Sequence, residues 1–233
     1  MTLGPIPDKS TGQEIVEKAV EGAISAVPVV GGPAGVAFDY AISHAYDQRL
    51  QAWLRDLGAA VEDLVDRVED LELVALTHED RFLDAVAAAT RIAERSSLTE
   101  KREALRNAVL NSALPGAPNA EEQSIFMRLI DDYTPTHLIL LSFLADPGDW
   151  FTRHQIPKLN LLSGGLASVI EAGIPELANR QIVLDLAIAD LGRDGLINAP
   201  GLNAVMTGDS LYKARITQWG QQFLEFVTDP LAS

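Results

Sequence analysis

Gly208-Asp209-Ser210-Leu211 sets a serine in a short polar run, where its hydroxyl could serve as a nucleophile. A hydroxyl attacks only when a base removes its proton, and no histidine follows Ser210. The run therefore reads as a turn. Asp190 to Gly195 offers the start of a calcium loop, but the third position is Gly192 and the twelfth is Gly201. Two oxygen ligands are missing, and a helix-ending turn explains the segment. His44, His78, His137 and His154 lie far apart, without the i, i+4 pair of a helical zinc site. The glycine pairs Gly31-Gly32 and Gly164-Gly165 lack the lysine of a phosphate loop. With no cysteine in the chain, disulfides, thiolate metal sites and thiol nucleophiles drop out together, which fits a reducing compartment. The expectation is no catalytic residue, no metal, no cofactor and no enzyme, unless tertiary folding alone assembles a site.

The elements that position these residues come from periodicity. From Leu50, apolar residues recur at Leu54, Leu57, Val61, Leu64, Val68 and Leu71, in steps alternating four and three. That spacing sets all seven on one seam of a helix, able to pack inside its own bundle or against a second copy. The acidic residues of VEDLVDRVEDLE alternate with the seam and form its solvated face. A second helix follows, with Phe82, Val86, Ala89 and Ala93 on one side. Ser97 and Glu100 have the spacing of a capping box and announce a third, carrying Leu105 and Val109 and ending near Leu114-Pro115-Gly116. PGAPNAEE reads as a linker, which predicts a helical domain over 12–115 and a second domain over 120–233.

In the second half, Thr134 and Pro135 open a helix as N-cap and first residue. GDWFTRHQIPKLNLLSGG reads as loop, and Pro175 to Leu191 as a helix ended at Arg193-Asp194-Gly195. Leu191, Gly195, Leu196 and Ile197, followed by Ile216, Thr217, Gly220, Phe223 and Phe226, carry a likeness over about half the chain. Their order resembles a winged-helix domain, in which a helix ends at a Gly-Leu-Ile turn and a strand-to-helix segment follows the wing. The resemblance implies a nucleic-acid or protein-contact module. Charge decides between them. From residue 121 to 233, seven lysines and arginines stand against fourteen aspartates and glutamates, and the would-be reading helix sets Arg180 against Glu176, Asp185 and Asp190. A protein that docks on a duplex must neutralise several phosphates, so protein contact is the expected role and DNA binding the minor alternative. The whole chain, at −15, points the same way.

Gly22 to Phe38 runs seventeen residues without a charge, interrupted by Pro28 and Pro33. It either packs against other helices through its small residues or enters lipid on activation through Val27, Val29, Val30, Val36 and Phe38. No stretch reaches the length of a spanning helix, and MTLGPIPDKSTG lacks the pattern of a secretory signal. Val27 to Gly35, Arg49 to Leu57, Glu100 to Leu114 and Phe126 to Leu144 together resemble bacterial helical proteins of the abortive-infection alpha type. That resemblance implies a cytoplasmic bacterial protein with a part in phage defence and brings no catalytic residues with it.

The expectation is thus a mainly α protein: an N-terminal helical hairpin or bundle followed by a winged-helix-like part with little β structure. Its expected role is non-enzymatic, in self-association through the Leu50–Leu71 seam or in contact with a protein partner. Membrane perturbation through residues 22–38 and DNA-binding regulation are the alternatives. Its expected location is cytoplasmic, with membrane contact only on activation.

Overall fold

The computed structural model describes the backbone of residues 33–199 and 201–232, with side chains from residue 43 onward. The protein is mainly α, and among the described residues strands are confined to one two-residue pair and one isolated bridge. It divides into two units, one running to Asp131 and resuming at Phe226, the other spanning Asp132–Glu225. This division falls at Asp131–Asp132, whereas the border expected from the sequence lies at residues 115–120. PGAPNAEE is a tight turn inside the first unit, with Gly116 at φ 82°. The Asn119 side chain accepts from the Glu122 N–H at 3.0 Å while Glu122 accepts from the Asn119 N–H at 2.9 Å, a reciprocal cap that starts the next helix.

The first unit is built from α1 (Pro33–Arg67), α2 (Leu73–Leu76), α3 (Asp80–Arg95), α4 (Thr99–Ser112) and α5 (Ala120–Asp132). Pro33 is the first residue of α1, where the missing N–H costs nothing. α1 packs against both α3 and α4, and α3 against α4. Leu54, Leu57, Val61 and Leu64 of the seam are 7% exposed or less, joined by Trp53 and faced by Phe82, Val86, Ala89, Leu105 and Val109. The Trp53 indole N–H donates to Thr90 Oγ1 at 3.0 Å, and that hydroxyl donates to the Val86 carbonyl, so the buried polar pair is satisfied. The seam's middle is therefore packed inside its own unit, the first of the two settings its spacing allows. Only Leu50, Val68 and Leu71 stay partly exposed.

Two boundaries differ from the periodic reading. α1 stops at Arg67, and Asp70 takes φ 65°, so Val68 and Leu71 lie past the helix. Glu69 and Asp70 would sit at the negative end of the helix dipole, which disfavours extending the helix through them. The Ser97–Glu100 capping box does not form. The chain is extended at Ser96, whose hydroxyl accepts from the Leu98 N–H at 3.3 Å, and α4 begins at Thr99 with no side-chain cap.

The last helix, Gln218–Val227, gives its final residues to the first unit. The Asn107 amide donates to the Val227 carbonyl at 3.0 Å, and the Asn111 amide to those of Phe226 and Thr228 at 3.0 and 2.8 Å. Phe226 meets Phe126 with ring centres 5.5 Å apart.

The second unit runs α6 (Pro135–Ala145), α7 (Pro147–Arg153), β1 (Ser163–Gly164), α8 (Leu166–Gly173), a 3-10 turn at Pro175–Leu177, α9 (Gln181–Arg193), β2 (Met206–Thr207), α10 (Gly208–Leu211) and the start of α11 (Gln218–Val227). β1 and β2 pair antiparallel, Ser163 opposite Thr207, and Ile197 bridges Ile216. Part of the expected loop after Ala145 is helical, because Asp146 caps α7 by accepting from the Asp149 N–H at 2.8 Å and Pro147 takes its first position. The expected helix over 175–191 is split: Asn179 adopts φ 62°, and α9 starts only at Gln181. Phe143 packs edge-on against Trp150 and Phe151 in the core. The Thr217 hydroxyl donates to the Gly195 carbonyl at 2.7 Å and accepts from the Gly220 N–H at 2.9 Å. A Cβ on Gly220 would lie 2.0 Å from the Leu196 carbonyl oxygen, so only glycine permits this approach of α11 to the turn after α9.

Candidate functional site

α9 buries Leu184, Ala187, Ile188 and Leu191 at positions i, i+3, i+4 and i+7, the face that holds it against α6. Its outer face carries Ile182 and Leu186, 76% and 60% exposed and one turn apart, with Ala189 exposed in the next turn. Asp185 is exposed between them. These two large aliphatic side chains lie in water on a helix anchored by its other face. The sequence signal was present but diluted. In IVLDLAIADL the apolar residues run almost all round the helix, and the outer pair is hard to separate from the core set.

A polar cluster fixes the C-terminal end of α9 on the start of α6. The Tyr133 hydroxyl donates to Asp194 Oδ2 at 2.8 Å, and its ring stacks on His137 with centres 4.7 Å apart. His137 Nδ1 accepts from the Thr134 backbone N–H at 3.1 Å. The ring proton therefore sits on Nε2, which faces Asp190 Oδ2 at 3.3 Å. Arg193 closes the cluster through Asp190 at 2.7 Å and Asp194 at 3.2 Å. Burial, then the Asp194 hydrogen bond and charge, push Tyr133 far above the ordinary range of a phenol. Asp194 and Asp190, for their part, hold the exposed Arg193 more firmly in its charged form. Both ring nitrogens of His137 are engaged, and the phenol is locked in its neutral form. The cluster is a clasp that holds the end of α9 on the start of α6. For phosphate contact the helix keeps little, since Arg193 is neutralised by its two aspartates and Arg180 stands at the other end.

The remaining candidates from the sequence are dispersed. Gly208–Leu211 is the single turn α10, and the Ser210 hydroxyl accepts from Thr207 Oγ1 at 2.9 Å. Asp190 and Asp194 of the calcium-like segment serve the clasp. His154 stacks on Trp150 at 4.0 Å, and His44 approaches Gln48 at 3.0 Å. Among the described residues no group of three or more histidines and carboxylates is placed to hold a metal ion. Val27, Val29 and Val30 lie outside the described residues, as do the side chains of Val36 and Phe38 in the first turns of α1. No helix among the described residues is long and apolar enough to cross a membrane. His137 was visible in the sequence only as an isolated histidine, because its carboxylate partner lies 53 residues away.

Comparison with protein-family models, with curated proteins and with solved structures found no match to this chain.

Proposed function

We infer that this chain is a non-enzymatic protein-interaction module that docks the outer face of α9 on a partner protein. The observation that carries the reading is the exposed pair Ile182 and Leu186 on a helix whose opposite face is core. Asp185 between them and Glu176 just before the helix define the partner: an apolar groove with basic residues on its rim. The consumed middle of the Leu50–Leu71 seam favours a partner protein over self-association through that seam. The resemblance to abortive-infection proteins places the search for the partner in phage-infected bacterial cells.

A photo-crosslinking amino acid at Ala189, next to the apolar pair, identifies the partner in cells. Calorimetry with the two purified proteins then measures the contact. Ile182→Asp with Leu186→Asp weakens binding by about a hundredfold or more at unchanged melting temperature, since two buried aliphatic anchors are lost and a charge is put in their place. Equal affinity in the double variant, or crosslinks only to a second copy of this chain, overturns the reading.

A further inference from the structure

In the first unit, α3 and α5 flank a groove of about 460 Å³. Four arginines line it, Arg81, Arg91 and Arg95 from α3 and Arg128 from α5, against two acids, Asp84 and Asp131. In a chain of net charge −15, this surface has the opposite sign. Arg95 is paired with Asp131 at 2.9 Å, and both side chains are largely exposed, so the pair holds little energy and opens easily. Arg81 and Arg91 have no ion pair or hydrogen bond from their guanidinium groups among the described residues. Four cationic side chains gathered against two acids set up a positive potential that an anion relieves.

The placement separates two ends. Arg91 and Arg95 are one helical turn apart, and Arg128 stands one turn before the Asp131 that meets Arg95, so three guanidinium groups belong to one end. Arg81 and Asp84 lie at the other, with Arg81 about 15 Å along the axis from Arg91. Between them the floor is apolar and shallow, made of Ala85, Ala88, Ile92 and Met127. Arginine rather than lysine at every cationic position supplies planar forks suited to phosphate or carboxylate oxygens. A continuous polyanion would meet Asp84 and Asp131 as well as the arginines, which disfavours nucleic acid. The volume is that of a small-molecule site.

We propose that the α3–α5 groove binds a small phosphorylated organic molecule, its phosphate held at the Arg91–Arg95–Arg128 end and its apolar part lying on the Ala85–Ile92–Met127 floor. This site belongs to the first unit and does not depend on the α9 reading. The test is calorimetry on the full chain at constant ionic strength with four probes: phenyl phosphate, AMP, inorganic phosphate and uncharged adenosine. Phenyl phosphate or AMP binds saturably, adenosine does not, and inorganic phosphate binds at least about tenfold more weakly than the organic esters. Arg91→Ala lowers ester affinity about tenfold or more, the loss expected for a charged hydrogen-bonding partner. Ala88→Leu, which keeps every charge and fills the floor, lowers it too, while Arg153→Ala outside the groove leaves it unchanged. Circular dichroism verifies that each variant is folded. The proposal is overturned if no probe binds saturably, if inorganic phosphate matches the esters, or if Arg91→Ala binds like the wild type.

Discussion

Tyr133 ties the second unit to pH in one direction. Its folded form holds the phenolic proton well above the ordinary value of 10.0, so above that value the unfolded chain releases a proton that the folded chain keeps. Stability from this residue is complete below pH 10 and declines as pH rises further. The slope is at most about 1.4 kcal/mol per pH unit. Urea unfolding between pH 9 and 11 should therefore show wild type losing stability faster than Tyr133→Phe. Parallel curves would remove the clasp as the cause. Every member of the clasp can be read in the sequence as a residue, and none as a partner. Tyr133 and Asp194 are separated by 61 positions, a distance at which no local spacing rule operates.

Helix interiors were legible because burial imposes a period. Phe82, Val86, Ala89 and Ala93 were expected on one side of α3, and all four are buried. Helix ends obey a finer chemistry. Ser97 and Glu100 have the letters of a cap that the chain does not use, whereas Asn119 and Glu122, read as part of a linker, form the reciprocal cap of α5. The difference lies in what precedes each pair. Ser97 directly follows Ser96, the C-cap of α3, while Asn119 is set off from α4 by the turn at Gly116. Asn119→Ala should cost about 1 kcal/mol in chemical denaturation, and the same change at Ser97 should cost almost nothing. An equal cost at both positions would contradict the assignment.

At the scale of the molecule, the mainly α class was written in the heptad spacing, the proline and glycine punctuation and the rarity of alternating segments. The unit boundary was not, because a Pro-Gly turn between helices of one unit and a Pro-Gly linker have the same composition. The burial of Leu64 gives the test of the first unit. Leu64→Ala should destabilise by about 2–5 kcal/mol through loss of contacts and a residual cavity. Its molar mass by light scattering should equal that of wild type, because the side chain packs within one chain. A change in mass at unchanged stability would restore the seam as a surface between copies.

The clamp of Asn107 and Asn111 on the carbonyls of Phe226 to Thr228 has a consequence in time. A ribosome makes the two amides more than a hundred residues before the groups they bind. The nascent first unit must wait, with Phe126 uncovered, through the synthesis of all of Asp132–Glu225. The second unit is one continuous stretch, and its last residue, Glu225, is made just before the clamp's acceptors. Translation order thus makes the earlier-made unit the part that a chaperone or a protease meets open for longest.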